Sequence, residues 1–509
     1  MRHTWRHAII IAGVSVVPAG AVPTKDADTA AWWATTAALS GDDMEGRDTG
    51  SAGYDRAAAL VEARFRAAGL KPGGEGGTYR QTVPLHDVRV DKAGTTFAIV
   101  GADGTATPLA FLHQISVRAS EGLPQTIDAA LAFRGYCSAA EIGSDLRGKV
   151  AVCFGGRRTG VASASDRAAA ASAAGAVGLI AVDDPGFTIE PARWPDAYAR
   201  TITFRSDSRS TAPLAVMRLA PDALATVIAG SGHAAAAILA AGAASQPLPS
   251  FDVPARIKAT IATSTRDLAS DNVLGLLPGT GPLAHEVVVV SAHLDGYGFG
   301  EPVGGDALYN GAFDDAAYVA TLIRLAENRH GKGFRRSVLF AAFTGEEKGL
   351  LGATWFTRTP TVAKADLAAD INLDQLRPLF QLKTLTMHAI GDTTLGSTAK
   401  TVADAMRIEL RPDREPERNL VSRADHWPFL KIGVPATGFV FGYDPGTEAE
   451  RRYREWYRVR YHRPQDDMTQ PIDFVAAADF NRFFYALTAA VADADARLAF
   501  VAGSPLAPK

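Results

Sequence analysis

The chain reads as an α/β protein, a mostly parallel-containing mixed sheet flanked by helices, with a smaller middle block of its own. Three observations predict this. Apolar strand-like runs (EVVVVSAH, SVLFAAFT, VPATGFVF) alternate with helical patterns through the last half of the sequence, and such alternation builds a sheet covered by helices on both faces. An Ala-rich middle stretch carries a β-α-β pattern of its own without any cluster of His and carboxylates. A hydrophobic content of 47% with 21% charged residues over 509 positions fits a globular chain with large cores, and the length corresponds to roughly three domains.

In chain order, Arg2 and Arg6 precede a short apolar core, Ala8 to Val17, and the small residues Ala19, Gly20 and Ala21. This is the pattern of an export signal over 1–21, cut near Ala21, and it predicts a periplasmic or secreted protein. The apolar core is too short to span a bilayer, and no later segment is long and apolar enough to do so, so no membrane span is expected after cleavage.

Residues 22–112 read as a first block. Ala30 to Leu39 is helix-like. Ala58, Val61, Glu62 and Phe65 then fall on helical spacing, widened by Ala57, Leu60 and Ala68. Gly69 is a helix stop with Pro72 just beyond, and TYRQTVPLHDVRV reads as strand.

Residues 113–250 read as a second block. DLRGKVAVCFGG is a turn feeding a strand, and SDRAAAASAAGAVGLIAVDD is a capped Ala-rich helix, a Gly stop and a short apolar strand. Cys137 and Cys153, the two cysteines of the chain, fit either a disulfide in an oxidising compartment or two buried thiols. Residues 251–509 read as a third block, where Val319, Leu322, Ile323 and Ala326 make one helix face.

Charge excludes some function classes. With 52 basic against 55 acidic residues the net charge is -3, which leaves no electrostatic footprint for nucleic acid. No basic amphipathic run marks a membrane surface.

The chemistry sits where strands meet loops in the last block. VVVVSAHLDGYG carries His293 and Asp295, YNGAFDDAAYVATLI carries Asp314 and Asp315, and FAAFTGEEKGLLG carries Glu346 and Glu347. NLDQL adds Asp374 and RYHRPQDD adds His462. Ligands of open α/β sheets gather beyond the carboxyl ends of strands. No cysteine spacing suits a metal, so any metal rests on imidazole and carboxylate, both of which zinc accepts. Five such side chains serve two metals if one carboxylate is shared, and a further carboxylate is needed to move the proton of the attacking water. The adjacent Glu346 and Glu347 allow that division, one ligating and the other free.

These segments, with SRADHWPFLKIGVPA and MEGRDTGSAGYDRAA, resemble the M28 family of di-zinc aminopeptidases, relatives of glutamate carboxypeptidase. The middle block, 113–250, is similar to a protease-associated (PA) domain through DLRGKVAV and AAGAVGLIAV, which implies a smaller domain inserted in a catalytic domain made of 22–112 and 251–509. The resemblance covers nearly all of the chain after the leader. It implies two Zn²⁺, with His293 and Asp374 on one, Glu347 and His462 on the other, and Asp314 bridging. It implies Glu346 as general base, Asp295 orienting His293, and Tyr461 beside the reacting carbonyl, where it stabilises the oxyanion. Asp425 and His426 would be supporting groups, and Asp466 and Asp467 turn or helix-start residues. Ala317 and Tyr318 depart from the small Ser-Gly pair usual in the family, Gly296 from a His, Gln375 from a Met and Ala424 from a Ser, and none of these removes a proposed ligand.

The implied function is an exported di-zinc exopeptidase acting on peptide substrates, an aminopeptidase by resemblance. The alternatives are a carboxypeptidase of the same family and a catalytically inactive PA/M28-like binding protein. Arg458 and Arg460, just before Tyr461, read as a solvated basic turn or as a fork for a terminal carboxylate.

Overall fold

Seven consecutive buried residues, Val287–His293, form the strand around which the first sheet is built. The structure, a computed structural model, describes residues 24, 26–156, 161–186, 199–207, 214–374 and 376–507. The leader expected over 1–21 and Gln375 lie outside them. Val287–His293 pairs in parallel with Ser337–Phe343 on one side and Leu367–Asn372 on the other, and Ala436–Thr437 extends that run. Beyond Ser337–Phe343 the pairing turns antiparallel through Thr263–Leu277, Arg80–Val90 and Arg200–Phe204, with Lys71–Pro72 also on Thr263–Leu277. The sheet is therefore mixed, with one parallel half and one antiparallel half.

Its two faces are covered as strand periodicity requires. Val288, Val290 and Phe340 enter a core shared with helices Ala27–Leu39, Ala52–Ala67, Ala317–Arg329 and Phe474–Ala492. The alternate residues Val287, Val289, Leu339 and Phe343 face the opposite core, under Leu351–Arg358 and His426–Lys431. Helix Ala52–Ala67 follows its sequence signals. The Ser51 hydroxyl accepts from the Tyr54 amide at its start, Ala58, Val61 and Phe65 are buried, and Gly69 leaves the helix at φ +81°, a conformation that costs glycine little.

A second sheet forms a separate lobe, in the order Ala106–Leu109, Thr96–Gly101, Ser250–Thr260, Thr126–Arg134, Val150–Phe154, Gly178–Val182, Ala215–Leu219 and Ile115–Val117. The β-α-β unit read from the sequence is here: Val150–Phe154, the helix Ala164–Ala173 with a Ser163–Asp166 capping box, and Gly178–Val182 in parallel beside the first strand. The lobe is wider than the expected 113–250. Its sheet takes in 96–109 before that range and 250–260 after it, while Arg200–Phe204, inside the range, returns to the first sheet. Cys137 and Cys153 are both buried and free. No helix of the described residues is long and apolar enough to cross a membrane.

Candidate metal centre

The parallel half of the first sheet delivers its chemistry at one edge. His293 is the last residue of its strand, Glu346 and Glu347 follow Ser337–Phe343, and Asp374 follows Leu367–Asn372. Asp314 lies in a turn ahead of the helix Ala317–Arg329, whose start has no side-chain cap. Asp314 and Asp315 are thus not helix caps. His462 is in the turn after the helix Glu448–Val459, at φ +51°.

Three donor sets result among the described residues, two of them containing Asp314 and the third made of His293, Glu346 and Glu347. His293, Asp314 and Asp374 offer ligand atoms within 4.8 Å of one another, and so do Asp314, Glu347 and His462. His293 Nε2 is 3.2 Å from Asp314 Oδ1, and His462 Nε2 is 3.2 Å from Asp314 Oδ2 and 3.4 Å from Glu347 Oε2. Glu346 faces the same space, its Oε2 3.9 Å from His293 Nε2. The sets fit metal ions by an independent sign. Glu347 Oε1 is buried with no hydrogen-bond partner among the described residues, and carboxylate oxygens are rarely left so without a cation.

Electrostatics follow from this crowding. Burial, with Asp374, Glu347 and Asp425 close by, pushes the Glu346 carboxyl well above the usual range against the pull of His293. Burial and Asp314 likewise raise Glu347. Asp314 goes the other way. Burial works to raise it, but hydrogen bonds from His293 and His462 and the charge of Arg377 outweigh burial and hold it well below the usual range.

Asp295 is placed one step outside. His293 Nδ1 lies 3.1 Å from the Asp295 carbonyl and 3.8 Å from its carboxylate. That carboxylate accepts from the Thr49 hydroxyl and the Glu346 amide, each at 3.0 Å. It therefore locks the loop of Glu346 to the loop after His293. Tyr461 is buried, stacks on the His462 ring at 3.6 Å and has its oxygen 3.3 Å from Arg423 Nη2. Asp425 and His426 are buried behind the site.

Four residues near the centre carried no signal strong enough to assign from sequence. Arg377, three residues after Asp374, is buried with Nη2 3.4 Å from Asp314 Oδ2 and its guanidinium 4.4 Å over the Trp456 ring. Asp466, read as a turn residue, is buried and accepts from the amides of Phe313 and Asp314, each at 3.0 Å. Burial pushes its pKa up to about 7. Tyr297 places its hydroxyl 3.3 Å from His462 Nδ1, and Lys348 Nζ sits 4.5 Å over its ring. Arg47, within the MEGRDTG segment, is fully buried and donates to the carbonyls of Leu39, Leu294, Asn310 and Gly311 at 2.7–2.8 Å. It ties the first helix to the loops that hold His293 and Asp314.

The centre opens on a cleft of about 1090 Å³ between the two lobes, lined by Glu347, Lys348 and Tyr297 on one side and by Arg118, Leu179 and Met217 on the other. Arg458 lines it but is paired with Glu455 at 2.7 Å. Arg460 is turned into its own loop, toward Gln465 and Thr469.

Residues 272–488 match the family model described as Peptidase family M28. A probable zinc metalloprotease of Pyrenophora tritici-repentis (strain Pt-1C-BFP) is 31% identical over 196 residues, covering 32% of this chain and 44% of that protein. One from Pyrenophora teres f. teres (strain 0-1) is 31% identical over 175 residues, 32% of this chain and 36% of that protein. The chain thus spans less than half the length of these curated relatives. Among solved structures, the aminopeptidase from Aneurinibacillus sp. strain AM-1 is similar with a TM-score of 0.60 at 18% identity, over 90% of this chain and 93% of that one. BSAP, a zinc aminopeptidase from Bacillus subtilis, gives 0.60 at 17% identity, over 92% and 96%. At that identity the likeness is one of fold.

Proposed function

We propose that the protein, whose residues 272–488 match the model of Peptidase family M28, is an exported two-zinc exopeptidase of that family, an aminopeptidase. The observation that carries the reading is the position of Asp314, with one carboxylate oxygen toward His293 and the other toward His462, each at 3.2 Å. A carboxylate so placed would serve as the shared ligand of a pair of ions. His293 and Asp374 would hold one, Glu347 and His462 the other. When bound, the ions supply a water acidic enough to attack at neutral pH and polarise the carbonyl it attacks.

The chain's own residues do the rest. Glu346 is the spare carboxylate of the edge. Its raised pKa suits a group that takes a proton from water and returns it to the leaving amine. Asp295 holds it in place through its backbone amide. Arg377 and Asp466 fix Asp314 from behind, one by charge and one through its backbone, so that its two oxygens keep their directions.

The aminopeptidase direction is supported by the two arginines that sequence offered as a terminal-carboxylate fork. Arg458 is neutralised by Glu455, and Arg460 is tied into its own loop. Two similar structures are themselves described as aminopeptidases. The test pairs a dipeptide amide bearing a free amine with an N-acetyl dipeptide bearing a free carboxylate. Cleavage of the first alone is expected, and cleavage of the second alone reverses the direction. Two equivalents of zinc in purified protein are expected too. A protein with none and no hydrolysis would be the inactive binding relative.

A further inference from the structure

The cleft is unevenly charged. Among the described residues, ten lysine and arginine side chains line it against six aspartates and glutamates, one of which is the ligand Glu347. Most of the cations near the centre are already answered. Arg200 has Asp48 at 2.6 Å and Asp87 at 2.9 Å, Lys348 has Asp48 at 3.3 Å, and Lys92 has Glu301 at 2.6 Å.

Arg463 is the exception. It follows His462 directly in the chain and borders two spaces at once, the large cleft and the small cavity it shares with Asp314, Glu347 and His462. Among the described residues its guanidinium has no carboxylate partner, and its Nε is buried without a hydrogen-bond partner. A buried donor left unmade is unfavourable until an acceptor arrives. A planar guanidinium fork is matched best by a carboxylate. No acidic side chain of the described protein supplies that acceptor, and the position is next to the atoms that would hold the scissile bond.

We propose that Arg463 is a carboxylate-binding subsite, and that the enzyme selects peptides carrying a carboxylate beside the bond it cleaves. Arg118, on the facing lobe and lining the same cleft, adds positive potential along the approach. The inference rests on the peptidase reading and on neither direction of attack, since the carboxylate can come from an acidic side chain or from a free C-terminus.

The experiment uses the zinc-loaded full chain and matched dipeptides. C-terminally amidated Glu-Ala and Ala-Glu are compared with amidated Gln-Ala and Ala-Gln for the side-chain source. Ala-Gln with a free C-terminus is compared with its amide for the other source. In at least one pair the carboxylate-bearing member is expected to lead by about tenfold or more in kcat/KM, the worth of a charge-assisted bond. Arg463→Gln should bring that ratio close to one. Arg463→Lys, which keeps the charge and loses the fork, should give an intermediate ratio, and it replaces Arg463→Gln if that variant loses zinc. Hydrolysis of all the peptides without discrimination overturns the subsite and leaves the peptidase reading standing, as does a ratio that survives Arg463→Gln. If nothing is hydrolysed, calorimetric titration of glutarate decides. Weaker binding to Arg463→Gln than to wild type keeps the subsite while the peptidase reading falls, and equal binding overturns it.

Discussion

The two sheets share a plan and differ in what stands at the ends of their parallel strands. Each has eight strands, with a run of parallel pairings continued by antiparallel ones. In the second lobe the charges at those ends are answered locally. Arg134, closing Thr126–Arg134, is held by Asp145 and Asp252, and Asp183, just past Gly178–Val182, pairs with Arg218 at 2.8 Å. In the first sheet the corresponding positions bring His293, Glu346, Glu347 and Asp374 against one another and against Asp314. Similar architecture is thus a scaffold in one case and a site in the other, and the difference lies in the imidazoles and carboxylates that the first sheet gathers within reach of one another.

The comparison breaks most completely if that edge of the first sheet can do without ions. Exhaustive chelation is expected to abolish hydrolysis, and His293→Ala or His462→Ala should each lower zinc content measured by mass spectrometry. Hydrogen exchange should then speed up in the loops around Asp314 and Glu346 and stay unchanged in the strands of the second lobe. Full activity in the metal-free protein would sink the di-metal centre.

Glu346→Gln is the next test, since it separates the two adjacent glutamates. The amide keeps the size of the side chain and cannot take a proton. Zinc content should hold while kcat falls by about 10²- to 10⁴-fold, the usual worth of a general base. A variant turning over near the wild-type rate would show that Glu346 is not the base.

A core truncation in the other lobe should do the reverse. Leu131 is 1% exposed in the second sheet, and Leu131→Ala should cost about 2–5 kcal/mol of stability in denaturant unfolding. The kcat of the folded fraction should be unchanged. A loss of kcat in folded protein would mean that the lobe takes part in the chemistry.

What was legible in the sequence follows from the range of the interactions. The strand Val287–His293, the helix Ala317–Arg329 and the β-α-β unit of the second lobe declare themselves through local periodicity and caps. The donors His293, Asp314, Glu346, Glu347, Asp374 and His462 stand in motifs, and the structure brings them together. Arg377 reaches the Phe313 carbonyl, Asp466 the Asp314 amide, Tyr297 the His462 ring and Arg47 the Gly311 carbonyl, partners 64 to 264 residues away in the chain, and no local pattern encodes such partners. The lobe boundary was misplaced for the same reason. Thr96–Gly101 and Ser250–Thr260 look like any strands until their pairing to each other is seen.

Acid should separate the two lobes as well. Among the described residues every buried histidine, His86, His293, His388, His426 and His462, lies outside the second sheet's lobe. His388 isolates the effect best. It stacks against His426 with ring centres 5.1 Å apart, both of its ring nitrogens lack a hydrogen-bond partner among the described residues, and Gly438 packs against the pair. Burial, with Arg418 adding to it, pushes its pKa down to about 4. The unfolded chain therefore binds a proton at His388 from about pH 6.5 downward while the folded chain does not. Stability from this group is complete above pH 6.5 and drains away as the pH falls toward 4, by about 2 kcal/mol at pH 5 and about 3 kcal/mol below pH 4. His388→Asn removes the titration. Urea unfolding at pH 7 and pH 5 should show a smaller loss on acidification in the variant than in the wild type, by about that 2 kcal/mol at pH 5. Protection against hydrogen exchange should fall first in the strands beside His388 and last in Thr126–Arg134 and Val150–Phe154. Equal losses in variant and wild type would mean that His388 is not held neutral by the fold.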